Sequence, residues 1–200
     1  MTTTEIKVWD PLVRIFHWSL VVAFFIAYFT EDDLMWLHEP AGYIVLGLVA
    51  FRIVWGFVGP RYARFSDFVR GPMAVFQSLK TFFKRDAPRF IGHNPAGGMM
   101  VVILLVMLAL TALTGIQADE AREGQQASNT IEVLQSAHAD DEHAAGEQRQ
   151  HEDEFWEEAH EVTANLTLIL IILHISAVFA HMMIHGENLV RAMLTGKKDE

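Results

Sequence analysis

The chain alternates between long apolar runs and shorter polar segments. Four of the runs are long and hydrophobic enough to cross the roughly 30 Å hydrocarbon core of a bilayer as helices. They cover residues 12–29, 40–58, 96–116 and 160–185. In a chain of 200 residues, four such helices leave little room for a separate soluble domain. We therefore predict an all-α fold, in which residues 1–200 form one integral membrane four-helix bundle.

The start of the first run carries a helix N-terminus signal. Asp10 is a suitable N-cap, and Pro11 suits the first helical position. No small-residue cleavage site follows this run, so we interpret it as a retained helix rather than a signal peptide.

The polar connections differ in charge. Residues 59–95 are rich in Lys and Arg, and within them residues 72–84 have the pattern of an amphipathic helix that lies in the membrane surface. Residues 117–157 form a long acidic connection, expected to be a partly helical or disordered outer loop between the third and fourth spans. Because basic connections tend to stay in the cytoplasm, we expect both chain termini there and the acidic connection outside.

Composition restricts the cofactors. The chain has no cysteine, which excludes disulfides, iron–sulfur clusters, thiolate-ligated haem and covalently attached c-type haem. It has ten histidines, and several of them lie within or at the ends of the apolar runs. Ionisable side chains inside a bilayer usually face the bundle interior and mark function.

Four of these histidines lie at two matched depths. His160 and His174 are 14 residues apart, which is about 21 Å along a helix and just under four turns, so they share one face. His38 precedes the second span on the acidic side, at the level of His160. His17 lies in the opposite half of the first span, at the level of His174.

Two pairs result, His38 with His160 and His17 with His174. A haem iron takes two axial ligands, and histidines from facing helices can hold a haem in a bundle core. The pattern favours two non-covalent haems and an electron path across the membrane. A haem-free metal or proton transporter is the alternative use of the same histidines, and His181 is an alternative to His174.

Two further groups have competing interpretations. Arg52 lies 14 residues after His38; it is either a helix-end charge that reaches for the membrane surface or a partner of a haem propionate. The acidic connection holds His138, His143 and His151, whose spacing fits no strong zinc pattern. We interpret these three as solvated loop residues.

Several segments resemble known proteins. They are VWDPLVRIFHW in the first span, HEPAGYIVLGLVAFRIVWG in the second, HEVTANLTLILIILHISAVFAH in the fourth, and the connecting segments GPRYARFSDFV and GHNPAGG. On these segments the chain resembles the bacterial cytochrome b561 family, which includes the cytochrome b subunits of nickel–iron hydrogenases. The resemblance covers nearly all of the chain except residues 117–157.

The resemblance implies a multi-pass protein of the bacterial inner membrane with two b-type haems. The family's ligand pattern falls on His17, His38, His160 and His174, and its arginine falls on Arg52. Members pass electrons between membrane quinone and a periplasmic c-type cytochrome or a hydrogenase subunit. One branch acts as a superoxide:quinone oxidoreductase, which an acidic outer face disfavours because superoxide is an anion. Besides redox partners we expect contact with membrane lipids and no nucleic acid.

Overall fold

The computed structural model describes residues 5–31, 34–84, 88, 90–135 and 143–199. Over these ranges the chain forms seven α-helices, a short 3-10 helix over Arg61–Ala63 and two strands. The helices are α1 (Pro11–Phe29), α2 (Met35–Val58), α3 (Phe65–Phe68), α4 (Pro72–Thr81), α5 (Pro95–Gln135), α6 (His143–His185) and α7 (Leu189–Thr195). The strands are β1 (Glu5–Lys7) and β2 (Lys197–Asp199).

Among the described residues, four helices have the length and composition to cross a membrane. The candidate spans are Pro11–Phe29, Met35–Val58, Pro95–Gly124 and Glu154–His185. Many of their large apolar side chains, such as Phe29, Phe57 and Ile169, are more than half exposed. Lipid would cover such a surface, because apolar side chains are favourable in hydrocarbon. The fold is an all-α membrane bundle, as the four apolar runs predicted.

Helix α1 begins as predicted. The Asp10 side chain caps it, with Oδ1 accepting hydrogen bonds from the backbone N–H groups of Leu12 (2.7 Å) and Val13 (3.3 Å). Pro11 occupies the first helical position, where its missing N–H costs nothing. A cap of this kind fixes where the first span enters the membrane.

Helix α2 begins earlier than we predicted, at Met35 rather than at residue 40. Pro40 therefore lies inside the helix, where it removes one backbone hydrogen bond close to the N-terminus. As a result His38 belongs to the first turn of α2 instead of preceding it, and its position is fixed by helix geometry.

The predicted long acidic loop is mostly helix. Helix α5 continues from the third span to Gln135, and α6 begins at His143, well before the fourth span. Residues 117–157 contain no proline and many Ala, Glu and Gln residues, which favour helix. Near the ends of the third and fourth candidate spans, the two helices are joined by an ion pair between Arg122 Nη2 and Glu157 Oε1 at 3.4 Å. We call residues 117–135 and 143–157 the acidic extension; residues 136–142 lie outside the described part of the chain.

The bundle core is formed by apolar side chains of α1, α2 and α5. Its buried members are Phe16, Ala23, Phe24, Val45, Val49, Leu105 and Leu108. Leu168 and Ile171 of α6 pack against this cluster. The core lies between the two levels of histidines and holds the four spans together.

The first and last described residues of the chain meet at one end of the bundle. Strands β1 and β2 pair antiparallel, with Glu5 opposite Asp199. Gly196 adopts a positive φ of 82°, and a Cβ there would lie 2.7 Å from the Trp9 carbonyl oxygen, so the pairing requires glycine. Tyr62, from the basic connection, packs against a small buried apolar cluster that includes Trp9. We call this the terminal end, and the opposite end, from which α5 and α6 continue, the extension end.

Candidate functional site

The rings of His38 and His160 face each other at the extension end. Their centroids are 5.9 Å apart and their planes are nearly perpendicular, at 89°. Two imidazoles that bind one metal ion at about 2.0–2.1 Å each have ring centres about 6 Å apart. The separation therefore suits a haem iron held between α2 and α6.

Backbone carbonyls orient both rings. His38 Nδ1 lies 2.9 Å from the carbonyl oxygen of Ala27, near the C-terminus of α1. His160 Nδ1 lies 2.9 Å from the carbonyl oxygen of Thr111 on α5. Because a carbonyl only accepts, each Nδ1 carries the proton, which leaves the Nε2 lone pair free to bind a metal.

Helix α5, whose sequence has no feature of a ligand-bearing helix, holds His160 closely. A Cβ on Gly115 would lie 2.8 Å from His160 Cε1, so only glycine allows the ring this near α5. Hydroxyl pairs also join α5 to α6 here, with Thr111 and Thr167 at 3.1 Å and Thr114 and Thr163 at 3.1 Å. Sequence reasoning missed these residues; the threonines and glycine in the TALTG segment were the available signal.

An open pocket adjoins the two histidines. Apolar side chains from all four spans line it, among them Phe24, Val45, Leu108 and Ala164. A Cβ on Gly42, which also lines the pocket, would meet nothing within 4 Å. A largely apolar cleft with two convergent imidazoles has the character of a cofactor site.

The second pair, His17 and His174, lies toward the terminal end. His17 Nδ1 is buried and has no hydrogen-bond partner in the described part of the chain. The Trp18 ring contacts the His17 ring edge-on at 5.1 Å. Among the described residues, the His17 and His174 rings do not show the contact found for the first pair. A buried nitrogen without a partner costs about 1–3 kcal/mol.

Arg52 is buried near the same end. Only 2 % of its surface is exposed, so it is not a helix-end charge that reaches solvent. Its guanidinium carbon lies 5.0 Å from the Phe65 ring centroid and 5.8 Å from that of Phe68. Its Nη1 has no hydrogen-bond partner among the described residues. A buried cation with an unpaired donor is stabilised by a neighbouring anion.

His93 is a half-buried residue to which the sequence pattern assigned no role. Its ring contacts those of Trp9 and Phe68, with centroid distances of 4.6 and 4.7 Å, and its Nδ1 is buried without a partner in the described ranges. Burial lowers the pKa of His93 to about 3, with a smaller contribution from the charge of Arg52, so the ring is neutral. The neighbouring Asn94 caps α5, with its Oδ1 accepting from Gly97 N at 2.6 Å.

His181 and His185 make contacts of their own. Their ring centroids are 4.4 Å apart, and His185 Nε2 lies 3.2 Å from the carbonyl oxygen of Phe82. His181 Nε2 lies 3.8 Å from Glu187 Oε2. Over the described residues, no group of three or more His, Asp or Glu side chains could hold a metal ion.

Comparison with known proteins assigns the chain to a family. The family model described as prokaryotic cytochrome b561 matches residues 8–196, nearly the whole chain. No curated protein and no solved structure matches the chain significantly. The chain belongs to the prokaryotic cytochrome b561 family, and it is therefore a membrane protein that binds b-type haem and transfers electrons.

Proposed function

We propose that this protein carries electrons across the membrane through two b-type haems, between the quinone pool and a periplasmic redox partner. The observation that carries the proposal is the His38–His160 pair, with ring centroids 5.9 Å apart and both Nδ1 atoms directed at carbonyl oxygens. Two imidazoles prepared in this way suit a six-coordinate haem iron, which favours electron transfer over oxygen binding. The family match supports the haem and disfavours the haem-free transporter.

His38 and His160 would hold one haem, and His17 with His174 the other. His174 is preferred to His181, because the His181 ring is engaged with His185 and Glu187. Haem b supplies one-electron iron chemistry when bound. The two ligands on α6 are about 21 Å apart along the helix axis, so electrons entering near one membrane surface would leave nearer the other.

The chain's own residues prepare the sites. Hydrogen bonds from Nδ1 to the carbonyls of Ala27 and Thr111 fix ring orientation and make the imidazoles stronger ligands. Apolar side chains around the pocket exclude water and lower the local polarity. Arg52 would neutralise a propionate of the haem at the terminal end, because its buried guanidinium is otherwise short of an anionic partner.

The charge distribution supports an orientation in the bacterial inner membrane. The basic connection and both termini lie at the terminal end, which would face the cytoplasm. The acidic extension would then lie in the periplasm. Alkaline phosphatase inserted at residues 136–142 should be active, whereas the same enzyme fused after residue 200 should be inactive. The opposite pattern would reverse the orientation.

The acidic extension suggests the kind of partner. Residues 117–158 hold thirteen Asp or Glu and two Arg, in a chain whose formal net charge is −10, so the remainder is nearly neutral. Such a surface would steer a basic protein, and a periplasmic c-type cytochrome fits better than superoxide. A hydrogenase subunit is the other partner class that the family's redox role allows. Quinone would exchange electrons with the haem at the terminal end.

Single histidine variants test the ligand assignment. We expect His17→Ala, His38→Ala, His160→Ala and His174→Ala each to lose one of two haems, because one imidazole cannot keep a six-coordinate iron. His185→Ala is the matched control and should keep both. Haem is counted by the pyridine haemochrome method on purified, folded protein. A His38→Ala or His160→Ala protein with two haems would refute the pair at the extension end.

A further inference from the structure

Two unpartnered donor groups contact the same aromatic ring at the terminal end. Phe68, only 1 % exposed, contacts both: its ring centroid is 5.8 Å from the Arg52 guanidinium carbon and 4.7 Å from the His93 ring centroid. Arg52 Nη1 and His93 Nδ1 are both buried without a hydrogen-bond partner in the described ranges. They come from α2 and from the residue pair that precedes α5, so the fold places donors from two separate elements around one ring.

The nearby carboxylate does not satisfy these donors. Asp10 interacts electrostatically with Arg52, but no ion pair within 4.0 Å joins these two described residues. Its Oδ1 already accepts from Leu12 N and its Oδ2 from Trp55 Nε1 at 3.1 Å. Removing an arginine and a histidine nitrogen from water without new partners is costly, by about 1–3 kcal/mol for a neutral group and more for a charged one.

We propose that Arg52 and His93 together bind a single carboxylate, a propionate of the haem at the terminal end, and that His93 acts as a positioning residue that tunes this haem's potential. This inference rests on the haem assignment proposed above and adds His93 to it. Arginine offers charge and a planar pair of donors, and the neutral His93 ring offers one N–H. The His93 ring packs against those of Trp9 and Phe68, and contact with two aromatic rings restricts the direction of its donor.

The expected effect on the haem has a defined sign. A hydrogen bond from His93 spreads the negative charge of the carboxylate. Without it, more negative charge acts on the iron and stabilises the ferric state, so the midpoint potential falls. For a one-electron couple, a tenfold change in the ferric-to-ferrous ratio corresponds to 59 mV.

The test is a redox titration of the purified holoprotein and of His93→Phe. Phenylalanine keeps an aromatic ring next to Trp9 and Phe68 but has no hydrogen-bond donor. We expect two haems per chain in both proteins. In His93→Phe, the midpoint potential of one titration component should fall, by an amount that corresponds to about a tenfold change in the ferric-to-ferrous ratio. The other component should be unchanged. His93→Gln, which keeps an N–H donor, should shift less than His93→Phe, and His185→Phe should shift neither component.

The source of the carboxylate is tested by infrared difference spectroscopy. Haem made with ¹³C in its propionate carboxyl groups should show a redox-linked carboxylate band that moves with the label and is altered in His93→Phe. A His93-sensitive band without the isotope shift would mean that another anion occupies the site and would overturn the propionate assignment. Unchanged potentials in both His93 variants, with two haems present, would overturn the role of His93 while leaving the two-haem function intact. A wild-type protein without haem would refute the function itself.

Discussion

At the scale of single residues, the site depends on nitrogen atoms and on what each of them faces. His38 and His160 each direct one nitrogen to a carbonyl and leave the other free. His17, Arg52 and His93 instead have buried nitrogens without partners in the described part of the chain. The first arrangement prepares an imidazole to bind a metal, and the second requires a ligand to complete it.

Gly115→Ala should weaken haem binding at the extension end. A methyl group there would lie 2.8 Å from His160 Cε1, and the ring would have to move away from the Thr111 carbonyl. Crowding of this size costs about 1–3 kcal/mol, or roughly 10- to 100-fold in affinity. Haem stoichiometry and haem dissociation rates of the purified variant measure the effect.

Gly47→Ala is the matched control for that change. Gly47 lies in α2, and a Cβ there would meet nothing within 4 Å. Because alanine favours helix over glycine by about 1 kcal/mol, both variants gain the same local stability. Equal haem affinity in the two variants would show that the contact between Gly115 and His160 has no effect on the site.

Residue spacing in the sequence was enough to place His38 beside His160. It could not identify the Ala27 and Thr111 carbonyls, because every residue has a carbonyl and only the packed helices show which ones are within reach. The contacts of His93 could not be predicted from the sequence either. Its neighbour Trp9 is more than 80 positions earlier in the chain, and no periodic pattern links them.

At the scale of helices and strands, the length of the apolar runs predicted the structure better than the polarity of the connecting segments did. The four spans and the amphipathic α4 (Pro72–Thr81) follow from hydrophobic pattern, since burial in lipid or at its surface determines them. Helix α2 begins earlier than predicted, and α5 and α6 extend through most of a connection that was predicted to be partly helical or disordered. There, helix propensity and packing between neighbouring helices outweigh polarity, which by itself suggested a loop.

Asp10→Ala should destabilise the bundle through the start of α1. The substitution removes the cap on α1, worth about 0.5–2 kcal/mol, and the hydrogen bond that links α1 to Trp55 of α2. We expect a lower midpoint of thermal unfolding in detergent, followed by circular dichroism.

Asp67→Ala is the control for charge loss at the same end. Asp67 pairs with Arg61, whose side chain is 79 % exposed, at 3.4 Å, and exposed pairs contribute about 1 kcal/mol or less. An Asp10→Ala midpoint as high as that of Asp67→Ala would contradict the role of Asp10 in joining the first two spans.

At the scale of the whole molecule, charge is separated between the two ends. The basic connection and the termini lie together, and the acidic extension continues from the opposite ends of the spans. The separation of charge could be predicted from composition alone, whereas the helical form of the acidic extension could not. We expect this asymmetry to favour a different class of partner at each end.

The acidic extension should accelerate electron transfer to or from a basic partner. Replacing Glu154, Glu157 and Glu158 by Gln removes three negative charges without changing helix length. We expect the rate with a basic c-type cytochrome to fall about tenfold at low ionic strength and the difference to vanish at high salt, because salt screens exposed charges. Stopped-flow absorbance measures the rate; equal rates at low salt would argue against electrostatic steering.

We propose that each chain holds two b-type haems between paired histidines. A pyridine haemochrome assay and a reduced-minus-oxidised spectrum of the detergent-purified wild-type protein count these haems. We expect two non-covalent b-type haems per chain, with the low-spin spectra of iron bound by two imidazoles. One haem per folded chain would contradict one of the two pairs, and a folded protein without haem would contradict both.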